Sequence, residues 1–251
     1  MGLAGKVALV TGAGQGVGQG IALALAGEGV SVAVAGRTEA KLSATCALIR
    51  ERGGRAEPFP IDVADTAAIS PLVEQVVETL GGVDVLVNNA YSGSFGPLLT
   101  TSDEDFQRGF RTAPFAAFAF MKACHPHLKA RGGSIINLVT SAMVRWDTST
   151  YGAYAAAKQA LRSLTRTAAS EWGRDGIRVN AIAPHALSPG LKAWTEHNPE
   201  EAAEFVESIP LGRIGECEAD IGRAVVALLG PDLRYLTGAT VPLDGGQAFF
   251  G

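Results

Sequence analysis

The stretch YGAYAAAKQA, residues 151–160, sets two tyrosines and one lysine among alanines. Alanine favours helix, and on a helix positions i and i+4 share a face, so Tyr154 and Lys158 must stand side by side. An ammonium held beside a phenol favours phenolate and draws its pKa from about 10 toward neutrality. Tyr154 is then expected to exchange a proton with an oxygen atom of a bound molecule, as a general acid or base does. Tyr151 lacks such a partner, because its i+4 neighbour is Ala155; it is expected to pack or to wall a pocket. A Tyr/Lys pair alone also fits an exposed helix surface, so the surrounding elements decide.

Those elements alternate. Short apolar, β-branched runs at 6–11, 30–35, 56–61, 83–88, 133–139, 177–183 and 240–243 predict strands, and helical patterns fill the gaps near 17–28, 38–52, 66–80, 103–130, 152–173 and 217–229. This order predicts an α/β fold, a parallel sheet of about seven strands with helices on both faces in three layers, of the Rossmann-type doubly wound kind. Several runs are almost continuously apolar, as strands buried on both faces are. At 251 residues and 47% apolar, with neither a linker nor an internal repeat, the chain is expected to form a single domain over 1–251. The irregular stretch 184–215 follows a strand end and is expected to be a substrate lid; a plain surface excursion is the alternative.

Residues 7–20, VALVTGAGQGVGQG, run from the first strand through a glycine-rich turn into the first helix. Glycines there let a diphosphate approach the helix N–H groups, where the helix dipole favours negative charge. Gly12, Gly16 and Gly18 have the TGxxxGxG spacing. At the end of the second strand, an acidic residue would bind a ribose 2′-hydroxyl and repel a 2′-phosphate. Gly36 and Arg37 stand there instead, and a guanidinium fork suits a phosphate. NADP(H) is therefore the favoured cofactor, with NAD(H) as the alternative.

The glycine spacing, NNA at Asn88, Asn89 and Ala90, YxxxK at Tyr154 and Lys158, Asn180, Pro184 and LDGG at 243–246 together resemble the short-chain dehydrogenase/reductase family in its single-domain form. Over 209–229 the chain is similar to 3-oxoacyl-[acyl-carrier-protein] reductase-like members. The resemblance covers essentially the whole chain. It implies a carbonyl/secondary-alcohol oxidoreductase in which hydride passes between nicotinamide and carbon while Tyr154 handles the proton. It implies Ser141, Tyr154 and Lys158 as catalytic residues, and cofactor contacts at Gly12, Gln15, Gly16, Val17, Gly18, Arg37, Asp62, Val63, Asn89, Ala90, Tyr154, Lys158, Pro184 and Leu187. It also implies a homotetramer or homodimer.

Four positions depart from the family's pattern. Tyr91 replaces the glycine of NNAG, His185 a glycine after the sixth strand, and Pro189 a threonine near the nicotinamide amide, for which Ser188 is the available substitute. Tyr91, Tyr151 and His185 are expected to shape the substrate pocket, and His185, with a pKa near 6.5, to be available for proton transfer. Ala113 stands where the family has a catalytic asparagine. The adjacent Pro114 has no N–H for the carbonyl of Phe110, so a local kink at 110–118 is expected to stand in for it. These departures keep a second class of reading open, a nucleotide-binding regulatory or scaffold protein, since a fold alone does not secure activity.

Composition narrows the partners. A formal charge of −4 with scattered basic residues argues against nucleic acid and against an anionic membrane. Cys46, Cys124 and Cys217 lack metal or redox spacing and are expected to be buried. His125, His127 and His197 are expected to be solvated, and no metal site is expected. No apolar run approaches the roughly 20 residues of a membrane span, the start MGLAGKVALVTG lacks a signal-peptide pattern, and Lys6 breaks a myristoylation motif. The expected location is cytoplasmic and the expected partner a small carbonyl or alcohol compound.

Overall fold

Seven strands pair in parallel in the order β3-β2-β1-β4-β5-β6-β7: β1 Val7–Thr11, β2 Ser31–Gly36, β3 Ala56–Pro60, β4 Val85–Asn88, β5 Ser134–Leu138, β6 Arg178–Pro184 and β7 Thr240–Leu243. The computed structural model describes residues 2–145 and 150–250. β1, β4 and β5 are buried along their whole length, which is why their sequences run apolar without alternation. Both edge strands carry prolines, Pro58 and Pro60 on β3 and Pro242 on β7, where a missing N–H disrupts least and discourages further strand addition, and the interior β6 has one only as its last residue, Pro184.

Helices cover both faces. On one, α1 (Gly16–Gly27), α2 (Glu39–Glu51) and α9 (Arg223–Leu229) pack Ile21, Leu25, Leu42, Ile49, Val225 and Leu229 against Val10, Val32, Val34 and Ile182. On the other, α3 (Ile69–Leu80), α5 (Ala116–Arg131) and α6 (Gly152–Trp172) pack Leu72, Val76, Phe120, Leu128 and Ala168 against Leu9, Ala33, Ile135 and Val179. The α1 backbone lies against a π-helical turn, Cys217–Gly222, that leads into α9: a Cβ on Gly20 would come within 2.3 Å of the Cys217 carbonyl.

The helix expected over 103–130 is divided. α4 (Asp103–Phe110) passes into a π-helical turn, Arg111–Phe115, before α5 begins. Pro114 lies inside that turn, where its missing N–H and ring prevent a regular α-helical ladder. The regular α-helix is thus interrupted at the place where a kink was expected. The excursion 184–215 contains two short helices, α7 (Pro189–His197) and α8 (Pro199–Glu207), and a bridge between Ala186 and Gly215 ties its two ends together.

Two expectations need correction. Cys46 and Cys124 are buried, but Cys217 is half-exposed, with its thiol 3.6 Å from the Leu187 carbonyl. The histidines expected in solvent include two with acidic partners: His125 meets Asp175 at 3.0 Å and packs on Trp172, and His127 lies 3.5 Å from Glu74. Neither contact is visible locally, because the partners lie on other elements. Among the described residues no helix is long and apolar enough to cross a membrane, and no three His, Cys, Asp or Glu side chains are grouped to hold a metal.

Candidate active site

Strand order reverses between β1 and β4, which open a crevice at their carboxyl ends. Thr11 ends β1 and ties the two strands: its hydroxyl accepts from the N–H groups of Asn89 (3.0 Å) and Ala90 (3.1 Å). The Asn89 amide donates to the carbonyls of Thr11 (2.9 Å) and Gly12 (3.1 Å). Gly12 has φ +66°, and a Cβ there would lie 2.7 Å from the Asn89 amide nitrogen; one on Gly18 would lie 2.4 Å from it. Glycine is required at both positions. Helix α1 then begins at Gly16 and Val17 with no side-chain cap from Gln15 and no acid in its first turn. Its free N–H groups and dipole suit a diphosphate, so these residues fit a dinucleotide.

Cationic groups flank this turn. Arg37 follows β2, is exposed and reaches Ser92 at 3.5 Å. Lys41, which sequence reasoning missed, donates to the side-chain oxygen of Gln15 at 2.5 Å. Its signal was its position four residues after Arg37, one helical turn further on. Asp62 caps its own turn by accepting from the Ala64 N–H at 3.0 Å, and Val63 beside it is buried.

Tyr154 and Lys158 do share one face of α6, yet their electrostatics differ from expectation. Lys158 is only 2% exposed, and its Nζ donates to the Leu138 carbonyl at the end of β5 at 2.7 Å. Burial lowers its pKa to about 7. Burial also pushes Tyr154 up, to about 12, against a hydrogen bond from Thr140 that lowers it. The attraction within the pair, which favours both charged forms, is outweighed by the cost of removing both charges from water. Tyr154 therefore holds its proton at neutral pH. Nζ lies 5.8 Å from the Tyr154 ring centre and 5.4 Å from that of Tyr91.

This arrangement has a stability consequence. Lys158 binds its proton more weakly in the folded chain than the ordinary value of 10.5, so wild-type stability rises with pH between about 7 and 10.5, where only the unfolded chain holds the extra proton. Lys158→Met is expected to be most favourable relative to wild type below pH 7, with the difference falling as pH rises. Thermal melts at about pH 6 and about pH 9 check the sign.

Ser141 occupies a different setting from Thr140. It is buried, and its Oγ donates to Asp244 Oδ2 at 2.5 Å. Thr140, half-buried, accepts from the Ala142 N–H at 3.2 Å and bonds Tyr154. Thr140 was not singled out from the sequence.

An aromatic wall adjoins the phenol. The Tyr91 ring centre lies 4.7 Å from that of Tyr154, and Phe95 lies 5.3 Å from Tyr154 and 5.4 Å from Tyr151. The Tyr91 ring reaches between Gly93 and Gly109; a Cβ on Gly93 would lie 2.2 Å from its hydroxyl. Phe95, unread in the sequence, is 57% exposed despite these contacts. Its signal was a large apolar residue within the small-residue run SGSFG, where no core requires it.

His185 follows Pro184 and lies beneath the excursion, with its ring 4.9 Å from Phe205 of α8. Both ring nitrogens are buried without a hydrogen-bond partner among the described residues. Burial lowers its pKa below 6.5, opposed by Asp244 and aided by Arg145, so the imidazole is neutral at pH 7. That corrects the expectation of a group titrating freely near 6.5. Leu187 is exposed and its N–H donates to the Gly215 carbonyl at 2.8 Å. Ser188 caps α7 by accepting from the Leu191 N–H, and with Pro189 it stands over the glycine turn, 3.3 Å from a Cβ placed on Gly16. The π-helical turn also borders the crevice: Ala113 and Thr112 line, with Asn88 and Thr11, a cavity with room for a single water.

A doubly wound parallel sheet carrying a glycine-rich turn at the strand-order switch, with a phenol and an amine at the carboxyl ends, defines a dinucleotide-dependent oxidoreductase. The family described as enoyl-(acyl carrier protein) reductase matches residues 12–248. The 12alpha-hydroxysteroid dehydrogenase of Clostridium sp. is 38% identical over 251 residues, covering 97% of this chain and 96% of its own. An actinorhodin polyketide ketoreductase crystallised with NADPH superposes with a TM-score of 0.90 at 31% identity, covering 98% of both chains. A 7alpha-hydroxysteroid dehydrogenase, complexed with NADH and 7-oxo glycochenodeoxycholic acid, superposes at 0.91 with 31% identity, covering 98% of this chain and 95% of that one. The chain belongs to the short-chain dehydrogenase/reductase family. It is an oxidoreductase of CH–OH groups that interconverts carbonyl and alcohol with a nicotinamide cofactor.

Proposed function

We propose that this chain is an NADP(H)-linked oxidoreductase acting on an apolar, ring-bearing ketone and its secondary alcohol, with Tyr154 as the proton donor and acceptor. The observation that carries the substrate class is the wall formed by Tyr91, Phe95 and Tyr151 around Tyr154. Flat or alicyclic rings stack favourably on such faces, whereas a sugar would strand its hydroxyls there. Two of the similar proteins bear hydroxysteroid names, which agrees with a polycyclic substrate.

The cofactor, when bound, supplies or accepts the hydride. Gly12, Gly16 and Gly18, with the N–H groups near Gln15 and Val17, take its diphosphate; Arg37 and Lys41 take a 2′-phosphate. Asp62 and Val63 border the adenine, and Asn89 and Ala90 the neighbouring ribose. Lys158, Pro184 and Leu187 serve the nicotinamide end. In reduction, Tyr154 gives its O–H proton to the carbonyl oxygen as the carbon gains hydride; oxidation reverses both transfers. A Tyr154 pKa raised by burial suits the acid role, because the proton is present throughout the neutral range. Lys158, when protonated, offsets charge developing on the phenol oxygen. His185 and Phe205 form the side of the pocket under a lid made by 184–215.

A second copy of the chain is proposed to cover Phe106, Phe115 and Phe118 on α4, the π-turn and α5, which are exposed as a run of aromatic side chains. The activity is tested by steady-state assays with trans-decalone, a ketosteroid, a ketoacyl thioester and a ketose, each with NADPH and NADH. The ring ketones with NADPH are expected to give the highest kcat/KM. A preference for the ketose would overturn the substrate class.

A further inference from the structure

We propose that Thr140, and not Ser141, presents the hydroxyl that holds the substrate oxygen beside Tyr154. This rests on Tyr154 being the proton donor and acceptor described above.

The end of β5 is held from two sides. The Lys158 amine holds the Leu138 carbonyl at 2.7 Å, and the Val139 N–H donates to the Ile182 carbonyl at 2.8 Å. The strand is thus fastened to α6 on one side and to β6 on the other up to residue 139. Thr140 continues extended, at φ −151° and ψ 146°, before the turn Ser141–Met143. Side chains alternate along extended backbone, and the alternation separates the two hydroxyls. Val139 packs inward with Leu161 and Ala183; Ser141 is buried, while Thr140 meets the phenol.

Hydrogen-bond inventory separates them again. A hydroxyl has one proton to give. Ser141 gives its proton to Asp244, a carboxylate only 3% exposed that also accepts from the N–H groups of Gly246 and Ala248, each at 3.1 Å. Redirecting that proton would leave a buried charge short of a donor. Thr140 accepts from the Ala142 N–H, which orients its oxygen, and directs its proton at the Tyr154 oxygen, from which it turns to an entering substrate oxygen without leaving a buried charge behind. Its branched Cβ restricts rotation further than a serine's would. A substrate oxygen entering beside the Tyr154 hydroxyl therefore receives two hydrogen bonds, one from Thr140 and one from Tyr154; the Tyr154 proton is the one transferred.

The test compares Thr140→Val, Thr140→Ser, Ser141→Ala and Tyr154→Phe in the full chain, with trans-decalone and NADPH. Thr140→Val is expected to lower kcat by about a hundredfold, with NADPH affinity by fluorescence unchanged. Thr140→Ser should recover kcat to within about tenfold of wild type, and Ser141→Ala should remain within the same range, its loss appearing in the unfolding midpoint. The pH profile of the oxidation direction supplies a readout that general loosening would not move: removing the Thr140 donor shifts the Tyr154 limb upward, and removing Ser141 does not. The proposal is overturned if Thr140→Val turns over at wild-type rate, or if the limb moves in Ser141→Ala and stays in Thr140→Val. If both variants lose turnover, the limb decides between them. Wild-type turnover by Tyr154→Phe would instead remove the underlying reading, so the two failures are distinct.

Discussion

Replacing Tyr154 with phenylalanine is expected to lower kcat about a thousandfold, within the usual range for loss of a general acid, while leaving NADPH binding intact. The substitution removes one oxygen and keeps the ring, so the edge contacts to Tyr91 at 4.7 Å and Phe95 at 5.3 Å survive. Fold and pocket shape should be preserved, and the loss should fall on kcat in both directions. In wild type, burial pushes the phenol pKa up to about 12; under the proposed mechanism reduction keeps its acid across the neutral range, and oxidation gains as rising pH removes the proton. Steady-state kinetics with both reaction directions, beside NADPH fluorescence titration, check the outcome. A variant within tenfold of wild-type kcat would show that the proton travels by another group.

The second large effect concerns the cofactor. Arg37→Asp is expected to raise the KM for NADPH by about a hundredfold, while leaving that for NADH nearly unchanged or lower. A guanidinium at the end of β2 binds a 2′-phosphate through a charge-assisted fork, whereas a carboxylate there repels it and accepts from a 2′-hydroxyl. Among the described residues the Arg37 side chain makes one long hydrogen bond, to Ser92 at 3.5 Å, and it is exposed, so little of the fold depends on it. Lys41 should retain part of the phosphate preference, because its amine is held over the turn by Gln15 at 2.5 Å. Paired kcat/KM values for both cofactors measure the switch. Equal losses with both would assign Arg37 to turn structure.

Much of the architecture was legible because it follows from local periodicity. The apolar runs of β1, β4 and β5 and the longer helical patterns between them predicted the strands and that they pair in parallel. Pro114 announced a break in the long helix after β4, and the chain forms a π-turn around it. The joint spacing of Gly12, Gly18, Asn89, Tyr154 and Lys158 brought the crevice into view before any contact was known.

Other features needed distance information that no local pattern holds. Phe95 joins the wall only because the loop after β4 folds over the start of α6, and Lys41 joins the turn only because α2 packs beside α1. Ser141 and Thr140 are adjacent hydroxyls, of which the sequence reading named only Ser141; their settings diverge because Asp244, over a hundred residues away, takes the proton of Ser141. His185 loses its expected titration range for the same reason, since Phe205 and the surrounding chain keep water from its ring.

By itself, then, the sequence determined which residues share a helix face and which strand ends meet a glycine turn, because backbone geometry repeats over a few residues. Only the tertiary structure decided the charge of those residues. Desolvation depends on everything packed around a group, and here it reverses the expected direction at Tyr154, leaving the phenol protonated and the buried amine of Lys158 poised near neutrality.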